Sequence, residues 1–162
     1  APWRGAPSSR RVAGATTAPV IPVAPADQTG RGRLLLVDDE AAIRKSVGRF
    51  LQRYGFQVTD VAGAEAAVQA LRQSPFDAII SDLRMPGFSG EELFALLEQE
   101  FPEMTQRIVF TSGDLTSEDT AAFLTRSGCP ALQKPYELAE LVRLLKALPP
   151  VARISAAQRA TA

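Results

Sequence analysis

The segment DAIISDLRMPGFSG, residues 77–90, decides the fold class because it runs a buried strand directly into a carboxylate. Its apolar run, 78–80, shows no alternation with polar residues, which is typical of a strand covered on both faces of a sheet. The run ends at Ser81 and Asp82, and a loop with Pro86 follows. Two interpretations of Asp82 are open: a capping or turn residue, or a reactive group at the carboxyl end of a strand.

The same strand-then-helix pattern recurs on both sides of this segment. Short apolar or alternating runs predict strands at 33–37, 56–61, 77–81, 107–112 and 131–133. Apolar residues at helical spacing predict helices at 40–54, 63–73, 90–101, 116–128 and 136–148, the fourth with a capping box from Thr116 to Asp119. This alternation predicts an α/β fold. We expect a flavodoxin-like five-stranded parallel sheet, order 2-1-3-4-5, with five helices on both faces.

Composition divides the chain into three parts. Residues 1–32 are rich in Pro, Ala and Arg, and their five prolines disfavour regular structure, so we expect a flexible linker. Residues 33–148 carry the repeating pattern, and residues 149–162, which begin with two prolines, are expected to form a mobile tail. The chain starts with alanine rather than methionine, so we expect a piece processed or cut from a longer protein.

Composition also excludes several classes of function. The 162 residues carry 18 basic and 18 acidic side chains, so no basic excess indicates nucleic-acid binding. The sequence contains no histidine, which removes Ser-His-Asp catalysis, histidine-ligated zinc and a phosphohistidine of its own. No apolar stretch is long enough to span a membrane, and the single cysteine fits a reducing compartment. We expect a cytoplasmic domain with no nucleic-acid or membrane contact, although its parent protein could be membrane-associated.

Polar side chains end four of the five predicted strands. These end groups are Asp38-Asp39, Asp82, Thr111-Ser112 and Lys134. In an open α/β sheet, sites form at the carboxyl ends of the strands near the point where strand order reverses, so these groups should converge. Three close carboxylates need a cation, and Mg²⁺ suits a site of oxygen ligands with few protein contributions.

A carboxylate in this setting can attack phosphorus and form an aspartyl phosphate. Phosphoryl transfer depends mostly on positioning and charge neutralisation, and the cation, Lys134 and Thr111 could each attend to one phosphoryl oxygen. Because the sequence has no glycine-rich phosphate loop, the phosphoryl group must come from another molecule or domain. The polar residues, taken together at matching strand ends, favour the reactive interpretation of Asp82.

In order and spacing, four blocks resemble the signature of two-component response-regulator receiver domains: LLLVDDE, DAIISDLRMPGFSG, IVFTSG and LQKPY. The resemblance implies that Asp82 is the phosphoacceptor in a domain that catalyses its own phosphorylation and dephosphorylation. It implies an Mg²⁺ site formed by Asp38, Asp39, Asp82 and the backbone carbonyl of Arg84. It also implies phosphate-binding or switch roles for Thr111, Ser112 and Lys134, and a cis peptide bond before Pro135.

The same resemblance implies the partners. A receiver exchanges phosphate with the dimerisation and phosphoacceptor domain of a histidine kinase, or with a histidine phosphotransfer protein. The stretch SEDTAAFLTRSGCPALQKPY is most similar to receivers attached to hybrid sensor histidine kinases. We therefore expect the C-terminal receiver of such a protein.

Two features depart from a conventional response regulator. Members with the usual switch carry Tyr or Phe three residues before the lysine, where this sequence has Ala131. We therefore expect an attenuated aromatic switch at the face formed by the fourth helix, fifth strand and fifth helix. The residues after Leu148 are too few for a DNA-binding helix-turn-helix.

Other functions remain as alternatives. The chain could be a stand-alone single-domain response regulator that acts through protein contacts. An aspartyl-phosphate hydrolase of the phosphatase kind would carry a second acid two residues after Asp82, where Arg84 stands. A flavin or dinucleotide binder would need a Gly-, Ser- or Thr-rich loop after the first strand, where VDDEAAIR offers acids that repel phosphate. Retention of the site residues argues against an inactive pseudo-receiver.

Overall fold

The computed structural model describes residues 32–148 as alternating strands and helices. The strands are β1 (Arg33–Val37), β2 (Gln57–Val61), β3 (Ala78–Asp82), β4 (Ile108–Ser112) and β5 (Ala131–Gln133). The helices are α1 (Ala41–Arg53), α2 (Ala64–Gln73), α3 (Gly90–Glu100), α4 (Glu118–Ser127) and α5 (Leu138–Ala147), with a short 3₁₀ helix at Pro102–Gln106. Apart from Gly32, the predicted linker and tail lie outside the described residues. No helix within the described part is both long and apolar enough to cross a membrane.

All strand pairs in the sheet are parallel, and the strand order is β2-β1-β3-β4-β5. The predicted fold class and strand order are confirmed. The order reverses between β1 and β3, which therefore lie side by side at the centre of the sheet. That junction is where the carboxyl ends of parallel strands form a crevice.

Two apolar layers cover the sheet, because successive side chains of a strand point to opposite faces. On one face Leu34, Leu36 and Ile80 pack against buried residues of α1 and α5. On the other face Ile79 and Phe110 pack against buried residues of α2, α3 and α4. With both faces covered, β1, β3 and β4 are buried along almost their whole length, which accounts for their unbroken apolar runs.

Two of the predicted helix starts are wrong. Ser117, not Thr116, caps α4, because its hydroxyl oxygen accepts a hydrogen bond from the Thr120 amide at 3.3 Å. Thr116 instead faces back to the preceding loop, where its amide and its hydroxyl both donate to Asp114 Oδ1, at 2.8 and 2.6 Å. Helix α5 begins at Leu138 rather than at residue 136, since Pro135 and the following two residues are not helical. The predicted end of α4 is confirmed, with Gly128 in the left-handed conformation at φ 68°.

Three phenylalanine rings fasten α3 and α4 to β4. Phe110 of β4 lies 6.3 Å from Phe94 of α3 and 5.3 Å from Phe123 of α4 between ring centroids, and Phe94 and Phe123 are 5.6 Å apart. All three pairs have edge-to-face geometry, which aromatic side chains prefer. Ala131 of β5 is the register partner of Phe110. The rings therefore fill the layer beside the position where an aromatic residue is missing.

Candidate functional site

The register of the sheet brings the predicted site residues to one edge and places four of their side chains on one face. Asp82, at the end of β3, is the Cα partner of Thr111 at the end of β4. Asp38 and Lys134 directly follow β1 and β5, in phase with Leu36 and Leu132, which pack on the α1 and α5 side. The alternation of side chains along β4 places Ser112 on the opposite face of the sheet, the face that also carries Phe110. The strands thus position four of these side chains on a common side.

Asp38 and Asp82 bind the same ammonium group in the same way. Lys134 Nζ donates to Asp38 Oδ2 and to Asp82 Oδ2, each at 2.9 Å. The other oxygen of each carboxylate accepts from the backbone two residues further on: Asp38 Oδ1 from the Glu40 amide at 2.9 Å, and Asp82 Oδ1 from the Arg84 amide at 3.1 Å. Each aspartate is therefore both a turn residue and a member of a charged cluster, so the two sequence interpretations of Asp82 are compatible.

Lys134 is held as an ammonium by its two partners. Burial disfavours its charged form, but the hydrogen bonds and charges of Asp82 and Asp38 outweigh burial and raise its pKa above the ordinary value. Its side chain is 19% exposed, whereas those of Asp38 and Asp82 are 4% and 9% exposed. The Lys134 side chain is therefore closer to solvent than the carboxylates of Asp38 and Asp82.

A third carboxylate makes the cluster acidic. Ligand oxygens of Asp38, Asp39 and Asp82 lie within 4.8 Å of one another, and Asp39 is exposed. One lysine cannot neutralise three carboxylates, so the cluster keeps an excess of negative charge. Carboxylate oxygens at this spacing, open to solvent on one side, fit a hard divalent cation that keeps several of its waters, as Mg²⁺ does.

The remaining predicted residues lie at the end of β4 or in the loops that follow β3 and β5. Thr111 is 2% exposed, and its backbone carbonyl accepts from the Leu83 amide at 2.9 Å. The Ser112 hydroxyl donates to the Asp114 carbonyl and accepts from the Asp114 amide, both at 3.2 Å, so it shapes the loop after β4. Arg84 follows Leu83 in the loop after β3, and the Lys134–Pro135 peptide bond is cis.

Two residues that support the site, Gly90 and Arg44, were not identified in the sequence analysis. A Cβ atom on Gly90 would lie 2.7 Å from the backbone oxygen of Asp82, so only glycine lets α3 start this close to the site. Arg44 of α1 donates to the Asp38 carbonyl at 2.7 Å and to Asp60 Oδ2 at 3.1 Å. Gly90 could have been suspected from its place directly after a strand-end loop. Arg44 carries no such signal.

A family model described as the response regulator receiver domain matches residues 34–146. Transcriptional activator protein PfeR of Pseudomonas aeruginosa is 32% identical over 109 residues, which cover 67% of this chain and 35% of PfeR. Sensory/regulatory protein RpfC of Xanthomonas campestris pv. campestris is 33% identical over 115 residues, which cover 70% of this chain and 16% of RpfC. The chain thus spans well under half the length of either relative.

Some solved structures with the same fold are almost completely covered by the alignment with this chain. A response regulator receiver protein from Pseudomonas putida has a TM-score of 0.66 and 30% identity, covering 72% of this chain and 96% of that one. Chemotaxis protein CheY4 of Vibrio cholerae has a TM-score of 0.64 and 28% identity, covering 72% of this chain and 98% of that one. Nearly the whole of each structure therefore has a counterpart here.

Proposed function

The chain belongs to the response regulator receiver domain family, and from that premise we propose that it accepts a phosphoryl group on Asp82 from a phosphohistidine of a partner. The single observation that supports this assignment most is the cluster of Asp38, Asp82 and Lys134 at the carboxyl ends of β1, β3 and β5. Asp82 is the carboxylate on the central strand, with acids on one side and the register partner Thr111 on the other.

In the proposed reaction, a carboxylate oxygen of Asp82 attacks the phosphorus of the partner's phosphohistidine. The new P–O bond forms as the P–N bond breaks, and its electron pair returns to the imidazole nitrogen. The Lys134 ammonium pairs with one phosphoryl oxygen, and the Thr111 hydroxyl donates to another. Because the arriving group is anionic, transfer into an acidic cluster requires this neutralisation.

We propose Mg²⁺ as the cofactor. Asp39, Asp38 and Asp82 would hold it through carboxylate oxygens, together with the backbone carbonyl of Arg84 and several waters. When bound, Mg²⁺ neutralises negative charge on the phosphoryl group. In the metal-free chain, Lys134 orients Asp82 by donating to its Oδ2 atom while donating also to Asp38.

For the larger setting we propose a cytoplasmic receiver at the C-terminal end of a hybrid sensor histidine kinase, working with a kinase or histidine phosphotransfer domain. RpfC, whose name joins sensory and regulatory roles, supports this setting because the matched part is 16% of its length. A stand-alone regulator is the second candidate, since the chain covers 98% of the chemotaxis protein CheY4 structure. The size of the full-length product of the parent gene distinguishes the two settings, because a hybrid kinase is much longer than a single receiver domain.

Intact-mass spectrometry tests the phosphoacceptor directly. We expect the chain, incubated with phosphoramidate and Mg²⁺, to gain one phosphoryl group, and to gain much less when the metal is chelated. Asp82→Asn should gain none. Equal phosphorylation of Asp82→Asn would contradict the assignment of this residue, and phosphorylation unaffected by chelation would contradict the role of Mg²⁺.

A further inference from the structure

Arg84 connects the carboxylate of Asp82 to the beginning of α4. Its backbone amide donates to Asp82 Oδ1 at 3.1 Å, and its guanidinium Nη2 donates to the Ser117 hydroxyl oxygen at 3.2 Å. The same Ser117 oxygen caps α4 by accepting from the Thr120 amide. One residue therefore contacts both the proposed phosphoacceptor and the N-cap of the helix next to it.

The hydrogen bond between the Arg84 guanidinium and the β4–α4 loop can be broken and formed again at low cost. Ser117 is a neutral acceptor, and its hydrogen bond with Arg84 is exposed to solvent. Thr116 hydrogen bonds lower the pKa of Asp114 in the same loop, and the charge of Arg84 adds to that effect. An aspartyl phosphate, with about two negative charges and three acceptor oxygens, is a far better partner for a planar guanidinium than a serine hydroxyl.

An open groove lies beside the Arg84 side chain and gives the guanidinium room to move. The groove has a volume of about 620 Å³, and its lining includes Asp39, Arg84, Asp119 and Thr120. It therefore runs from the acidic cluster to the first turn of α4. Arg84 itself is exposed, so no core contact is broken when its side chain leaves Ser117.

This chain lacks the aromatic residue of β5 that would link movement of Thr111 to α4 in a conventional receiver switch, because that position is Ala131. Ala131 offers no ring that could follow a movement of Thr111. The rings of Phe94, Phe110 and Phe123 also hold the body of α4 against β4. A signal from Asp82 to α4 must therefore enter through the loops at the edge of the sheet, where the Arg84–Ser117 hydrogen bond lies.

We propose that Arg84 is a positioning residue that couples phosphorylation of Asp82 to the N-terminal turn of α4. In the unphosphorylated chain its guanidinium holds the Ser117 cap. In the phosphorylated chain it turns to the phosphoryl oxygens and releases the cap, so the first turn of α4 changes while the rest of the helix stays packed. This inference rests on the proposed function of Asp82.

Substitution of Ser117 tests the coupling without touching the phosphoryl site. Thr and Gly are N-caps of similar quality, but only Thr keeps a hydroxyl oxygen for Arg84. Amide chemical shifts should be compared with and without beryllofluoride and Mg²⁺ in wild type, Ser117→Thr and Ser117→Gly. We expect the loading-induced shifts of Glu118, Asp119 and Thr120 to be present in wild type and Ser117→Thr and lost in Ser117→Gly. Shifts around Asp82 should occur in all three.

The possible outcomes are distinguishable. Undiminished shifts at the start of α4 in Ser117→Gly would overturn the coupling while leaving the phosphoryl site intact. Absence of any shift around Asp82 in wild type would overturn the proposed function and the coupling with it. Arg84→Gln gives a second measurement from the other partner, because it keeps the backbone and removes the guanidinium. Persistence of the α4 shifts in loaded Arg84→Gln would also overturn the coupling.

Discussion

An aspartate lies at each end of β3, with Asp77 directly before the strand and Asp82 as its last residue, and the two carboxylates have different surroundings. At the amino end, Asp77 accepts a hydrogen bond from the Arg33 amide at 2.7 Å, and the Arg107 guanidinium donates to its carbonyl oxygen. The Arg107 guanidinium also interacts electrostatically with Asp77, whereas Arg33 contacts the carboxylate through its backbone amide and places its guanidinium over the ring of Phe76. At the carboxyl end, oxygens of three carboxylates lie within 4.8 Å of one another, and the Lys134 ammonium pairs with two of them, Asp38 and Asp82.

The two ends of β3 differ in whether the folded chain balances the charge of their carboxylates. The Asp77 carboxylate at the amino end has its hydrogen-bond and charge partners within the folded chain, so it needs no bound cation. The carboxyl-end group retains excess negative charge in a place where its acids cannot move apart, because Asp38 and Asp82 are each fixed by two hydrogen bonds. Such an imbalance is tolerated when a cation or a charged reactant completes the site.

The largest effect should come from Gly90→Ala, which tests how tightly the carboxyl end is built. The added Cβ would lie 2.7 Å from the Asp82 carbonyl oxygen and 2.9 Å from the Leu83 Cα, so α3 or the loop must shift. We expect a loss of up to about 3 kcal/mol in the free energy of unfolding, measured by denaturant titration. Gly113→Ala is the control, since its Cβ would meet no atom within 4 Å. Equal losses in both variants would contradict close packing as the cause.

The next comparison neutralises the aspartate at each end in turn. Asp77→Asn should lower the free energy of unfolding by about 1–2 kcal/mol, because a charge-assisted hydrogen bond becomes a neutral one. Asp82→Asn should leave stability equal or higher, since it relieves repulsion among three acids. Both are read from the same denaturant titration. A larger loss for Asp82→Asn than for Asp77→Asn would remove the distinction between the two ends.

Mg²⁺ should stabilise the folded chain through the carboxyl end alone. At ten times the dissociation constant, binding to the folded state adds about 1.4 kcal/mol to the free energy of unfolding. Thermal denaturation across an Mg²⁺ series should show this gain in wild type and in Asp77→Asn. Asp39→Asn should need more Mg²⁺ for the same gain. Identical responses of Asp39→Asn and wild type would exclude Asp39 from the site.

The smallest effect concerns pH. The folded-state pKa of Lys134 is raised above its ordinary value of 10.5, so the stabilisation from its charge is fully present below that pH and is lost as pH rises beyond it. The difference in stability between wild type and Lys134→Met should therefore stay constant from about pH 6 to 9. Above the ordinary pKa, wild type should lose stability relative to the variant. A change in this difference near neutral pH would show that Lys134 titrates there.

Much of this arrangement could be predicted from the sequence because its signals are local. Unbroken apolar runs identify buried strands, helical spacing identifies the helices, and alternation of the two predicts a parallel sheet with the observed order. The strand ends then give the candidate site residues directly. Asp38, Asp82 and Lys134 do meet, although 96 residues separate the first from the last.

What the sequence did not predict depends on contacts between distant segments. The close approach of Gly90 to Asp82 requires α3 and the β3 loop to be in place. The start of α4 depends on the loop before it, in which Thr116 donates to Asp114 and the Ser117 hydroxyl accepts from the Thr120 amide. The amino-end cluster unites Arg33 and Arg107 around Asp77, and these residues lie 44 and 30 positions away from it. No short sequence pattern records such pairings.

The phosphoacceptor can be identified by locating the phosphoryl group along the chain. Hydride reduction converts an acyl phosphate to an alcohol, so the acceptor is recorded as a lasting mass change in a peptide. After treatment with phosphoramidate and Mg²⁺ followed by reduction, we expect the change at Asp82, in wild type and in Asp77→Asn alike. Reduction found instead at Asp77, Asp38 or Asp39 in the wild-type chain would show that Asp82 is not the phosphoacceptor.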